Sequence, residues 1–230
     1  MLEKESESEE REKFEEIVQK YNIDVAKLEQ EQEKLAKNID LNDSMDFSLA
    51  TRVAGIDNIF FRNNVISVIV VMENGEVVEQ EYFKDKIKFP YLSGFRSYRE
   101  LPAMISVFNM LDEKPDVVFI RAHGILHPRR LGLTSHFSLA TGVPAIGIAD
   151  RLLVGEQKGE DIILSGELSG KVIETKKGAR PIYVSPGNKI SVESAVEMTR
   201  KFIREPHKMP EPLRLAKKYA KEIFREIFKP

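Results

Sequence analysis

One stretch constrains this chain more than any other. Val65-Ile66-Ser67-Val68-Ile69-Val70-Val71 is apolar at nearly every position and rich in β-branched residues. Such side chains favour extended backbone. A continuous apolar run, as opposed to an alternating one, reads as a strand buried on both faces. Glu73-Asn74-Gly75-Glu76 follows. Asn-Gly is the favoured two-residue hairpin loop, so Val77 to Phe83 is expected to return antiparallel. A further strand begins near Val53, which places three β segments before the first internal helix.

The remainder alternates. Tyr98 to Met110 reads as a helix with Pro102 in its opening turns. Lys114-Pro115-Asp116 ends it and starts the buried strand Val117-Val118-Phe119-Ile120. Gly132 to Thr141 is a short helix, and Val143 to Ile148 another strand. Gly166 to Val172 and Pro181 to Val184 form a later strand pair. Ser191 to Arg204 and Leu213 to Phe228 close the chain as helices. A meander followed by strand–helix–strand crossovers argues an α/β fold, a mixed sheet with helices on both faces.

The N-terminal part is different. Residues 1–38 read as a charged helical extension packing on a core of residues 39–230. Eight glutamates fall between Glu3 and Glu16. Phe14, Ile17, Val18 and Tyr21 make a narrow apolar stripe, and Asn22 and Asp24 mark a break with a new N-cap. The acidic start reads either as a solvated helix face or as a tail for a protein partner.

Composition excludes several classes. Cysteine is absent, so disulfides, thiolate zinc sites and iron–sulfur clusters are excluded. The net charge of -2 gives no whole-chain basic signature, although a local basic patch stays open. No apolar run reaches the roughly 18 residues of a membrane span. The N-terminus lacks a secretory pattern, and a cytoplasmic protein is expected. No Gly-rich loop follows the first strand, which argues against a nucleotide-binding loop.

Three places carry candidate chemistry. Asp57 sits in or at the end of the strand starting at Arg52. It reads as a strand-end cap or as a metal ligand, because an unpaired carboxylate among apolar neighbours is costly. Phe89-Pro90-Tyr91-Leu92-Ser93-Gly94-Phe95, followed by Arg96, Arg99 and Glu100, is either a packed hydrophobic loop or an aromatic surface that stacks on bases. Arg121 to Gly132 holds His123, Gly124, His127, Arg129 and Arg130 directly after a buried strand, where sites gather in open α/β sheets. It reads as a phosphate-contacting site or as a solvated basic loop. His136 and His207 are isolated, with structural or surface roles.

Together these motifs resemble the endonuclease V family. The resemblance is carried by Val53-Ala-Gly-Ile-Asp57, Phe89-Pro-Tyr-Leu-Ser-Gly94, His123-Gly124, His127-Pro-Arg-Arg-Leu-Gly132, Pro144-Ala-Ile-Gly-Ile-Ala149, Tyr183-Val-Ser-Pro-Gly187 and Pro210-Glu-Pro-Leu-Arg214. Gln32, Leu35 and Ala36 match the family's N-terminal helix. The match runs from about residue 25 to about residue 220. It implies a ribonuclease H-like fold and metal-dependent cleavage, with Mg²⁺ or Mn²⁺, of a phosphodiester 3′ to deoxyinosine in DNA, or to inosine in RNA. It implies catalytic roles for Asp57, Glu100 and His127, with Asp57 and Glu100 as metal ligands. Substrate contacts would come from Tyr91, Gly94, His123, Gly124, Arg129 and Arg130, with Arg96 and Arg99 as further phosphate holders.

The sequence departs from that pattern inside the site. The third metal-ligand Asp of the family is Arg121 here, and an arginine cannot ligate a cation. Asp150 stands where the family has Lys, Lys217 where it has His or Asp, Ser93 where it has Pro, and Asn188 where it often has His. The expectation is that the Arg121 guanidinium takes the cation's place and forks onto Asp57, Glu100 or Asp150. Two readings follow. One is an endonuclease that cleaves poorly, with Asp57, Glu100 and phosphate oxygens alone around the metal; with no metal bound it loses cleavage and passes into the second. The other is a non-catalytic relative that binds deaminated or branched nucleic acid, or a partner protein.

Overall fold

The computed structural model describes residues 2–176 and 178–228, with side chains from residue 11 onward. The acidic side chains before that point, and the partner-binding reading placed on them, lie outside the described residues. Among the described residues no helix is long and apolar enough to cross a membrane.

The sheet begins as the sequence suggests. Strands β1 (Arg52–Phe61), β2 (Asn64–Glu73) and β3 (Glu76–Lys86) form an antiparallel meander. The turn between β2 and β3 is Asn74-Gly75, with φ of +50° and +88°. Both residues need the left-handed region, which Asn tolerates and Gly adopts freely.

Helix α3 (Arg96–Asn109) then crosses to β4 (Val117–Ile120), which pairs parallel with β1. Helix α4 (Leu133–Thr141) crosses to β5 (Ala145–Ala149), parallel to β4. Strands β6 (Glu156–Lys158), β7 (Asp161–Leu164), β8 (Glu167–Ile173) and β9 (Ile182–Asn188) complete a nine-stranded sheet in the order β3-β2-β1-β4-β5-β9-β8-β7-β6. Helices α5 (Val192–Phe202) and α6 (Glu211–Ile227) follow.

The run in β2 is buried on both faces. Ile69 and Val71 pack with Leu101, Met104 and Phe108 of α3. Ile66, Val68 and Val70 pack with Ala216, Ala220 and Ile223 of α6. Each such side chain removed from water stabilises the fold by about 1.5–3 kcal/mol. The sheet is therefore the middle layer, with α3 and α4 on one face and α5 and α6 on the other.

Two strands had no counterpart in the sequence reading. β6 is exposed throughout and three residues long, and β7 is four residues long, so neither carries a strong period. The Ser165-Gly166 turn between β7 and β8, with both φ positive, was the available signal.

At the N-terminus, α1 (Leu2–Tyr21) and α2 (Val25–Ala36) are separated at Asn22, whose φ is +50°. Asp24 caps α2, its side chain accepting from the Lys27 N–H at 3.0 Å. Phe14 of α1 lies 6.5 Å from the Phe95 ring, and the Tyr98 hydroxyl donates to the Leu28 carbonyl. These contacts seat both helices against the start of α3.

Candidate nucleic-acid interface

At one edge of the sheet β4 and β5 end, and β1 runs on past its parallel neighbour. Parallel pairing of β1 with β4 stops at Ile56 and Ile120, and pairing of β4 with β5 stops at Ile120 and Gly147. Asp57 and Arg121 directly follow the first of these limits, and Asp150 follows the end of β5 at Ala149. Open α/β sheets place their sites at this carboxyl edge. The three residues line two adjoining clefts. One, of about 440 Å³, is also lined by Asn58, Arg96, Glu100, His123, Arg151 and Arg180. The other, of about 300 Å³, is also lined by His207, Lys208, Leu213, Arg214 and Lys217.

Of the three acids expected to receive Arg121, the structure selects Asp150. Arg121 Nε and Nη2 donate to Asp150 Oδ2 at 3.2 and 2.6 Å, and Lys208 Nζ donates to Oδ1 at 2.9 Å. Burial works against the Asp150 charge, but these two cations hold its carboxyl below the usual range.

Glu100 is 2% exposed and fully engaged. Arg96 donates to both of its oxygens, at 2.7 and 3.1 Å, and Asn58 Nδ2 donates to Oε2 at 2.9 Å. Arg96 keeps its charge in spite of burial, because Glu100 faces it. Arg96 thus serves Glu100 and is not presented as a free phosphate holder. Asp57 accepts the Asn58 N–H at 3.0 Å and makes no ion pair among the described residues. Burial pushes its carboxyl up, against the pull of that N–H and of the Arg121 and Lys217 charges.

This donor set does not fit a divalent cation. Hard cations want several unclaimed oxygens. Here Glu100 is spent on Arg96 and Asn58, and the Arg121 guanidinium lines the same clefts as Asp57. Among the described residues no three His, Asp or Glu side chains come together to hold a metal ion.

A second, smaller pocket shares a wall with the first. Gly94, Arg96, Ser97, Ala122, His123, His127, Leu131, Gly132, Leu133 and Leu153 enclose about 40 Å³. Its frame is a set of donors on one carbonyl. Gln32 Nε2, His127 Nε2 and Arg129 Nη2 all lie 3.1–3.2 Å from the Gly94 oxygen. Arg129 also bonds Gln32 and Glu29 of α2 and stacks over the Phe95 ring at 4.7 Å. Arg129 is thus a clamp between α2 and this loop. His127 donates from Nε2, so its Nδ1 accepts the Arg129 N–H. Burial, then the Arg129 charge, pushes its pKa down to about 4. His127 is accordingly a neutral, fully used ring that lines the small pocket, away from Asp57.

The other expected residues are spread around these pockets. His123 lines both, with Nε2 2.9 Å from the Arg151 carbonyl. Gly124 packs so closely on β9 that a Cβ there would stand 2.0 Å from the Pro186 oxygen. Arg130 pairs with Glu167 at 3.2 Å, and Arg99 bonds the Phe89 carbonyl and stacks on Phe60. Tyr91 is 53% exposed and borders a groove with Phe14, Ile17 and Arg151. Asn188 is buried and accepts the Asp40 N–H. Sequence reasoning missed Asn58, Lys208 and Ser97. Asn58 was detectable as an amide next to Asp57, whereas Lys208 gave no signal. The Ser97 hydroxyl is buried in the small pocket's wall without a partner.

Comparison with known proteins places this geometry. The endonuclease V family model matches residues 33–218. The endonuclease V of Gloeobacter violaceus is 36% identical over 184 residues, covering 74% of each chain. Among solved structures, the endonuclease V of Bacillus subtilis superposes with a TM-score of 0.81 at 28% identity, over 91% of this chain and 95% of that one. The Ciona intestinalis endonuclease V, crystallised with a 24mer DNA containing an inosine, gives a TM-score of 0.80 at 24% identity, over 88% of this chain and 98% of that one. The fold is the ribonuclease H-like α/β architecture of those proteins. With the family model spanning its mixed sheet and carboxyl-edge clefts, the chain belongs to the endonuclease V family.

Proposed function

We propose that this protein recognises a deaminated purine, deoxyinosine in DNA or inosine in RNA, and holds it without hydrolysing the neighbouring phosphodiester. The family is generally metal-dependent, and a Ciona relative was crystallised with inosine-containing DNA. The observation that carries the reading is the state of the two acids at the family's ligand positions: Glu100 is closed by Arg96, and Asp57 faces Arg121. At an effective dielectric of about 20 and an assumed separation of about 5 Å, a fixed charge facing a divalent ion is worth at most roughly 7 kcal/mol. Arg121 is partly exposed and paired with Asp150, and solvent screening and that pairing together reduce the figure several-fold. What remains still removes an order of magnitude or more of metal affinity.

The recognition half rests on the small pocket. In this reading Tyr91 is the exposed ring that wedges into the stack, and Gly94, His123 and Gly124 offer backbone groups to a flipped base. The pocket of about 40 Å³ has room for a water, not for a purine. Entry of a base therefore requires Leu153 and the 89–95 loop to move apart.

A residual endonuclease is the second reading. It is favoured by Asp57, which has no ion pair among the described residues and borders both clefts. A nicking assay separates the two. Purified protein is incubated with inosine-containing DNA and RNA strands and Mg²⁺ or Mn²⁺, beside an Arg96→Leu/Arg121→Asp variant. The expected result is binding without nicking by the natural chain, with nicking by the variant. Efficient metal-dependent nicking by the natural chain would overturn the proposal.

A further inference from the structure

We infer that the cleft between Asp57, Arg121 and Lys217 is a seat for a nucleic-acid phosphodiester that works without a divalent cation. This rests on the recognition reading above and specifies how the phosphate is held. In a carboxylate-ligated site the metal supplies the positive charge that lets acids and phosphate meet. Here the chain supplies that charge itself. Glu100 is already neutralised by Arg96. Asp150 receives both Arg121 and Lys208, one cation more than it needs.

The surplus is directed into the cavity of about 300 Å³. Arg121 spends two N–H groups on Asp150 and has three left. Those donors form the planar fork that matches phosphate oxygens. Lys217 lines the same cavity near Asp57, is exposed, and makes no hydrogen bond or ion pair with a described residue. Arg214, by contrast, is held by Glu211 through two hydrogen bonds. Arg121 and Lys217 are thus the cations available to an entering anion. A backbone phosphodiester carries the single charge that balances them against Asp57.

The test is binding of a labelled inosine-containing strand, read by fluorescence anisotropy with excess EDTA and with Mg²⁺. The expected affinity is the same within about twofold in the two buffers. Lys217→Met is expected to weaken binding about tenfold and to reduce the slope of log K against log salt by about 0.7, one phosphate contact on a single strand. Lys218→Met, at a neighbouring exposed lysine that lies near Glu222, should leave the slope unchanged. Both sites are exposed, so the variants should melt as the parent does. Inosine preference that appears only with Mg²⁺ overturns the seat and leaves recognition standing. Equal slopes for Lys217→Met and the parent also overturn it. Tight metal-free binding with no preference for inosine over guanosine defeats the recognition reading and leaves the seat intact.

Discussion

The two pockets at the sheet edge share Arg96, Ala122, His123 and Leu133, yet they are built on opposite principles. Apart from the shared Arg96, the small one is assembled from backbone and neutral groups: a glycine carbonyl, a ring kept uncharged, and apolar walls. Its charged clamp, Arg129, points away into α2. The large one has an apolar floor, but its polar groups are mostly charges that answer each other. A pocket that recognises shape through backbone survives most side-chain changes. A pocket that works through carboxylates changes its chemistry with one substitution, as Arg121 illustrates.

The sharpest break of that comparison is Arg96→Met. It would leave Glu100 buried with only Asn58 as a donor. Breaking a buried pair by removing one partner is costly, and a loss of about 3 kcal/mol in urea unfolding is expected. The same variant frees a carboxylate beside Asp57, so Mg²⁺ should recover part of the loss, which it would not do for the parent. A variant as stable as the parent, and indifferent to Mg²⁺, would show that Glu100 does not depend on its guanidinium.

The small pocket answers through pH. His127 has a folded pKa of about 4, below its unfolded value of about 6.5. The unfolded chain therefore binds a proton that the folded one refuses. The contribution is present above the unfolded value and is lost as pH falls toward the folded one. Between about pH 7 and pH 5 this amounts to about 2 kcal/mol. His127→Gln, an uncharged amide, should flatten that part of the stability profile relative to the parent. An unchanged slope would mean that the imidazole accepts its proton in the folded state.

How far this was legible in the sequence depends on range. The β2 run and the Asn74-Gly75 turn are local signals, and the sheet's first half follows from them. Arg96 and Glu100 stand four apart on α3, so their meeting is readable from helical spacing, and it withdraws Arg96 from the phosphate role that the resemblance implies. Arg129 was not readable. Its partners Gln32 and Glu29 are 97 and 100 positions away, and only the docking of α2 on the 89–95 loop brings them together. Topology brings Asp57 and Asp150 to either side of Arg121, because β1 and β5 both run parallel to β4; the choice between them depends on side-chain reach and was not readable.

The mildest effect concerns the pair that most changes the site's character. Arg121 and Asp150 have side chains 38% and 41% exposed. Despite a 2.6 Å contact, water and salt reach both, and exposed pairs couple by only about 0.2–1 kcal/mol. A double-mutant cycle with Arg121→Met and Asp150→Asn should return a coupling in that range, shrinking as salt rises. Fold stability is then not the reason for the arrangement, because Asp150→Asn would cost little and Lys208 would be the other residue to lose a partner. What Asp150 does is aim the guanidinium. Without it Arg121 would be free to swing, and strand binding in EDTA should weaken more than unfolding stability falls. A coupling of several kcal/mol would reverse this ordering. Arg121 would then be as structural as Arg96, with its remaining donors committed to the fold and not to a ligand.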